Sequence, residues 1–487
     1  MEKRWVLIID DYVGLNKKAA DILAGEISGH LQYVLPVITA EKADQDEIKE
    51  SNLIVVGKIK TNRFLVECQK SGRITVPEKE EGYSIYVGES TWDSEAQMIA
   101  IAGYDEKGVL YGCIDFCNKY CGDILYSGGD IWSGSFFTAP FERKLKAWRS
   151  SAAPAIKTRA IWTWGHVIYD YRKFLDNMLK LRLNEIVIWN DCLPLNAKDI
   201  VAYAHSLGMK LIWGFAWGWG QKCAEFLEQY NERTLLNLKN NVIEAYQNEY
   251  APTGCDGIYF QSFTELDTDY VNGKCIAELV TELVNDISGA LLEINPNLHI
   301  QFGLHATSVK THLEHLKKVD RRVHIVWEDC GAFPFHYYAD RVDGFEETLA
   351  LTSELLKLRG TEESFGAVLK GMLKLDWGRF QHFSDSYILG ERTDAFLKQR
   401  QSVKNKIWKL VQAEWLRNAE YARKLIELIA KEGKEPIVQA LVEDAMLENE
   451  VMFPVALYAE MLWTPELSSS EMSGQVAKYP FVKFANV

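Results

Sequence analysis

The sequence predicts an α/β protein: an N-terminal α/β sandwich domain, a central (β/α)8 TIM-type barrel and a C-terminal helical region. Three observations predict it. From Lys157 onward, short apolar runs alternate with amphipathic helical segments. The connections between them are short, as a parallel barrel requires. Several runs also stop at acids or tryptophans, and in a closed parallel barrel such ends gather around one pocket.

Residues 1–140 read as the first domain. Strands are expected at Trp5–Ile9 and Asn52–Gly57, with a strand pair at Tyr83–Val87 and Met98–Ala102. Lys17–Ile27 has helical spacing, and the glycine-bearing stretch Gly103-Tyr-Asp-Glu-Lys-Gly-Val-Leu-Tyr-Gly112 leads into a helix over Val109–Tyr120. Its spacing is not that of a dinucleotide-binding loop. A boundary follows, with flexible glycine and serine pairs and a polar, basic segment over Phe141–Trp148.

The barrel is expected over 155–392. Seven strands are legible: Lys157–Thr163, Glu185–Trp189, Lys210–Phe215, Gly257–Phe260, Leu298–Phe302, Val323–Trp327 and Ala367–Leu375. Helices are expected between them at Tyr171–Leu181, Ala197–Leu207 (with Gly208 as C-cap), Leu235–Glu249, Ile276–Ile294, Lys310–Lys318 and Phe345–Arg359. Ser384–Leu389 is the best candidate for the eighth strand. Residues 393–487 read as long amphipathic helices, about Thr393–Lys431 and Glu435–Tyr458, packing on the barrel and offering a candidate homodimer interface.

Composition excludes several partners. Across 487 residues, the net charge of −14 argues against nucleic acid and against an anionic membrane surface. No stretch is long and apolar enough to span a bilayer, and the first residues lack a signal-peptide pattern, so a cytoplasmic location is expected. Nine scattered cysteines without a C-x-x-C pair suggest reduced core thiols. No zinc-protease spacing occurs, and neither a metal nor an organic cofactor is expected. Fifteen tryptophans give a rich supply of flat apolar surface for sugar rings.

The expected strand ends carry Trp162, Trp164, His166, Trp189, Asn190, Asp191, Trp217, Trp219, Gln261, Glu265, His305, Glu328, Asp329, Asp376 and Trp377. An aromatic bowl with several acids suits a carbohydrate better than a phosphorylated metabolite. Glycoside cleavage needs one protonated carboxyl to protonate the leaving oxygen, and a second, ionised one to activate water or attack the sugar. Glu265, past an apolar strand and beside Phe263, is the expected acid. Glu328 and Asp329 are candidate bases, and adjacent residues in extended chain face opposite sides. Asp376 is a further candidate base. Trp162, Trp189 and Trp217 are expected to stack on sugar, with Trp164, Asn190, His305 and Trp377 as further binding residues.

The domain order, the Gly103–Gly112 motif and the barrel opening Lys157-Thr-Arg-Ala-Ile-Trp-Thr-Trp together resemble two glycosidase groups. These are the β-N-acetylhexosaminidases of glycoside hydrolase family 20 and the α-glucuronidases of family 67. The resemblance spans roughly residues 1–380 and places Glu265 at the fourth-strand general acid of both. The hexosaminidases carry an Asp just before that Glu, to orient the substrate acetamide. Here the residue is Thr264, whose hydroxyl supplies no negative charge. The resemblance therefore implies an inverting, α-glucuronidase-like hydrolase, with Arg159, Lys374 or Arg379 as the cation for a uronate. A hexosaminidase-like enzyme using Asp376 for the acetamide is the alternative, as is a non-catalytic sugar-binding barrel.

Overall fold

Apolar runs of the sequence supply the strands of two separate principal sheets. The computed structural model describes residues 3–124, 141, 144–190, 192–214, 231–261, 264, 268–305, 308–328, 342–360, 364–372, 386–442 and 445–485. The chain divides into two units. One comprises Met1–Pro154 with Ser206–Gly208 and Gly474–Val482; the other comprises Ala155–His205, Met209–Ser473 and Lys483–Val487.

The first unit holds a six-stranded sheet. Its strands run in the spatial order Val37–Thr39, Trp5–Ile9, Asn52–Lys58, Gln97–Gly103, Tyr83–Glu89 and Trp148–Ala152. The first four are parallel and the last two pair antiparallel. Trp148–Ala152 thus forms an edge strand at the end of the expected boundary segment. The Gly103–Gly112 motif has a local physical role. Asp105 caps the helix Glu106–Asp115, its Oδ1 accepting from the Gly108 N–H at 2.7 Å while Oδ2 accepts from the Glu81 N–H at 2.9 Å. The helix then continues in wider π-type turns over Phe116–Ile124.

The second unit is a closed barrel of eight parallel strands. In order they are Thr158–Trp164, Glu185–Trp189, Lys210–Gly214, Gly257–Gln261, His299–Leu304, Val323–Trp327, Phe365–Met372 and Ile437–Val442. Each pairs with its sequence neighbour, and the eighth pairs with the first, Val438 opposite Arg159 and Leu441 opposite Trp162. Alternate side chains fill the interior: Trp162, Trp164, Val187, Trp189, Ile212, Tyr259, Val326, Val368 and Leu441 form one buried cluster. A polar chain also crosses it. Gln439 Nε2 donates to Gln301 Oε1 at 2.6 Å, and Gln301 Nε2 donates to Glu185 Oε1 at 2.7 Å.

The N-terminal end of the first strand is fixed by Arg159. Its guanidinium donates to the carbonyls of Arg182, Ile156 and Lys157 and lies over the Trp463 ring. Arg182 also covers that ring and pairs with Glu460 at 2.6 Å, with both side chains buried. Arg159 is therefore spent at the barrel floor, and the expectation that it could meet a uronate at the opposite end is corrected. Lys374 and Arg379 lie outside the described residues.

The eighth strand is a second correction. Residues 386–389 form no strand. The Leu389 N–H donates to Asn196 Oδ1 at 3.0 Å and its carbonyl accepts from Asn196 Nδ2 at 2.9 Å, while the Tyr387 carbonyl accepts from the Leu195 N–H. Ile437–Val442, expected as the start of a helix, is the closing strand, buried along its whole length. A short, mostly apolar run, broken only by Gln439, has no periodicity to separate strand from buried helix. It was further hidden by the 39-residue helix Asp394–Glu432, which separates it from the seventh strand. The barrel thus runs past residue 392, and the remaining helix of the expected Glu435–Tyr458 segment is Phe453–Met461.

Two histidines face each other at the starts of the fifth and sixth strands. The rings of His299 and His324 are 4.1 Å apart, and His324 Nδ1 meets Ser364 Oγ. Burial pushes His299 well below the usual imidazole range, with His324 and Lys210 adding to it. Burial, then Arg359 and Lys210, lowers His324 to about 4. Between pH 6.5 and 4 the unfolded chain takes up protons that the folded one refuses, so stability falls as pH drops through that window. His324→Gln should remove this residue's share, on the order of 2 kcal/mol at pH 4.5. Urea unfolding at pH 7 and 4.5 checks it: the variant should lose less stability over the interval than the parent, and an equal loss overturns the assignment.

Candidate active site

The site is built from the C-terminal ends of the strands. Its floor is aromatic. Trp162 and Trp189 stack with centroids 6.1 Å apart and 18° between planes, and Trp164 meets Trp162 edge-on at 5.1 Å. Tyr259 abuts both Trp162 and Trp189 at 5.7 and 5.9 Å. These tryptophans are each at most 4% exposed, so the structure brings them together as a closed floor whose faces are occupied largely by one another.

Glu328 stands one alternate position beyond Val326 on the sixth strand, which aims it into the barrel. It is 4% exposed. Its Oε2 accepts from the Tyr259 hydroxyl at 2.9 Å, and its Oε1 accepts from Gln261 Nε2. His305 Nε2 lies 4.0 Å from Oε1. Burial first, and then the charge and hydrogen bond of Glu328, push the Tyr259 phenol well above its usual range, so it stays protonated and donates. A carboxylate can accept about four hydrogen bonds, so Glu328 retains capacity for a ligand.

Thr264 has a different task. It is fully buried, and its hydroxyl accepts from the His305 N–H at 3.0 Å while its carbonyl accepts from the Ser308 N–H at 3.1 Å. It fastens the segment after the fourth strand to the end of the fifth. That bond holds the His305 backbone, and among the described residues the buried His305 Nδ1 has no hydrogen-bond partner.

On the opposite side, Asn190 Oδ1 accepts from the Gly165 N–H at 3.1 Å, while its buried Nδ2 has no partner among the described residues. Tyr387 joins them: a Cβ placed on Gly165 would sit 2.2 Å from its hydroxyl. Glu448, after the eighth strand, accepts from the Tyr169 N–H at 3.0 Å and anchors the turn above the first strand. Glu265, Asp329, Asp376, Trp377, Trp217, Trp219 and Asp191 lie outside the described residues.

Tyr259, Tyr387 and Glu448 escaped sequence reading. Tyr259 sits inside an apolar run that reads as core; the one available signal was its alternation with Gln261 at the strand end. Tyr387 fell within the stretch expected to be the eighth strand, and Glu448 within an expected helix. Among the described residues, no group of three or more His, Cys, Asp or Glu side chains is arranged to hold a metal, and no helix is long and apolar enough to cross a membrane.

No protein-family model matches the chain, and a comparison with curated proteins finds no relative. Solved structures do match. A mutant Streptomyces plicatus β-hexosaminidase in complex with its GlcNAc product is 11% identical over 98% of this chain and 91% of its own, with a TM-score of 0.51. A glycoside hydrolase family 115 4-O-methyl-α-glucuronidase is 12% identical over 98% of this chain, with a TM-score of 0.49. A family 138 enzyme targeting pectin rhamnogalacturonan II is 10% identical over 99%, with a TM-score of 0.48. This chain spans 51% of the family 138 enzyme and 61% of the family 115 enzyme. The fold is one found in glycoside hydrolases, in keeping with the resemblance to family 20.

Gly303 tests the geometry. A Cβ there would lie 2.4 Å from the Tyr259 hydroxyl and 2.7 Å from Glu328 Oε2. Gly303→Ala should therefore break the Tyr259–Glu328 bond and destabilise the protein by about 1–3 kcal/mol. Urea denaturation reads the loss; an unchanged midpoint would mean that the three groups are not packed as described.

Proposed function

We propose that the protein is a glycoside hydrolase that cleaves a glycosidic bond in an oligosaccharide or glycan by carboxylic acid and base catalysis. The observation that carries this is the polar lining of the barrel mouth. Glu328 is buried with donors already on both oxygens, while Asn190 Nδ2 and His305 Nδ1 are buried without partners among the described residues. Buried polar atoms are rarely left unmet, and each calls for an explanation. Ring hydroxyls, which both donate and accept, would satisfy all of them.

In this reading Glu265 protonates the glycosidic oxygen as the C1–O bond breaks. Asp329 or Glu328 takes a proton from a water that attacks C1 on the opposite face, giving net inversion. The inward aim of Glu328 favours it over its neighbour for a place at the sugar. An α-glucuronidase-like specificity needs a cation; of the candidates, Arg159 is engaged at the barrel floor, and Lys374 and Arg379 lie outside the described residues. The hexosaminidase-like alternative is less well supported, because the hydroxyl of Thr264 is already engaged with the backbone of His305.

Glu265→Gln should lower turnover of substrates with poor leaving groups by about 10²–10⁴-fold, and affect activated aryl glycosides far less. Proton NMR of the first-formed product should show the inverted anomer. A retained anomer would reject the inverting mechanism. Sugar binding without turnover across a panel of aryl glycosides would favour the non-catalytic reading.

A further inference from the structure

The connection after the fourth strand carries a small hairpin. Tyr270–Val271 pairs antiparallel with Lys274–Cys275, Tyr270 opposite Cys275 and Val271 opposite Lys274. Asn272 and Gly273 make the turn, with φ of 51° and 78°. Two successive positive φ values are those of a type I′ turn, whose twist matches the strands it joins. The hairpin leads directly into the helix Ile276–Ile294. It therefore lies on the C-terminal face of the barrel, the face on which Glu328 opens.

This hairpin is fastened to the connection after the fifth strand. Thr311 Oγ1 donates to Asp269 Oδ2 at 2.9 Å, and His312 Nε2 lies 3.5 Å from the same oxygen. The Asp269 carbonyl accepts from the Ile276 N–H at 2.9 Å, and the Tyr270 N–H donates to Thr268 Oγ1 at 3.3 Å. Nearer the strand end, Thr264 bonds to the backbones of His305 and Ser308. The two connections are thus tied at two levels. On this mount the Tyr270 ring meets the His312 ring edge-on, with centroids 5.5 Å apart and 79° between planes. Tyr270 is nonetheless 53% exposed, more than any other Phe, Tyr or Trp among the described residues. Exposed apolar residues are ordinary on a surface, and exposure alone would call for no explanation. Tyr270 differs in being held rigidly at the rim of the mouth, where its burial contributes little to folding. The exposed residues around it, Thr268, Asn272, Lys274 and Thr311, are polar.

We propose that Tyr270 is the stacking platform of an outer subsite, where it holds a sugar ring beyond the one at the cleaved bond. The inference rests on the glycosidase reading and adds to it the substrate's length: a chain of sugars, with rings to spare outside the barrel. One flat apolar face in a polar surround is too small for a protein partner, whose contact needs a larger apolar centre. It fits a pyranose, which offers a flat C–H face to the ring and hydroxyls around its edge to polar neighbours. The mount is already ordered, so little freedom is lost when a sugar arrives. A tyrosine, with only two side-chain torsions, adds little to that cost.

The test uses the full chain and the variants Tyr270→Ala and Tyr270→Phe, with urea midpoints measured to show that all three fold alike. Affinity electrophoresis is run in xylan, galactan, arabinogalactan and polygalacturonate. At least one of these should retard the parent. Tyr270→Ala should bind it about tenfold more weakly, and Tyr270→Phe should match the parent, because stacking needs the ring and not the hydroxyl. Retardation by none of the four, or equal retardation of parent and Tyr270→Ala, overturns the proposal. So does a Tyr270→Phe variant as weak as Tyr270→Ala, which would make the hydroxyl the contact. Hydrolysis of aryl glycosides, which carry a single sugar, gives a further check. A loss there as large as the loss of polysaccharide binding would put Tyr270 at the reacting ring and overturn the outer subsite. Self-association of the parent that Tyr270→Ala abolishes would likewise overturn it, in favour of a second copy. Ring-dependent retardation in a protein that turns over no glycoside would leave the platform standing and reject the hydrolase reading.

Discussion

The barrel depends on a buried polar chain. Glu185, Gln301 and Gln439 come from the second, fifth and eighth strands and meet inside the closed sheet. Groups of this kind cost several kcal/mol if left unmet in an apolar interior, so they must find one another. Doing so pins three strands in one register. A slip of one residue on any of them would turn its inward set outward. The same register puts Trp162, Trp189 and Tyr259 in one layer and lifts Gln261 and Glu328 into the next. The site is thus a consequence of how the interior is filled.

The two ends of the barrel divide the labour. At the floor, Arg159, Arg182, Glu460 and Trp463 pack on and bond one another at the first strand's base. At the mouth, Glu328, Asn190 and His305 are buried around the candidate site. The floor network also reassigns Arg159, whose residue type invites a ligand role and whose position at the start of a strand denies it.

Much was legible in the residues alone. Seven strands and most helices followed from periodicity, and of the expected site residues Glu328, Trp162, Trp164 and Trp189 fall at described strand ends. What failed, failed for identifiable reasons. Ile437–Val442 has no pattern of its own, and a helix of 39 residues removes it from the strand it must pair with. Tyr259 reads as core because a phenol within an apolar run is usually that; only its partner, 69 residues away, makes it part of the site.

The sequence by itself determined the architecture: a parallel barrel after an α/β domain, with Glu328 and tryptophans at strand ends. Period and composition are local properties, and each strand carries its own. Only the tertiary structure decided which strand closes the barrel, that Glu328 faces inward onto Tyr259 and Gln261, and that Thr264 serves the backbone. These depend on contacts between residues far apart in the chain. No local pattern encodes them, because closure and burial act on all eight strands together.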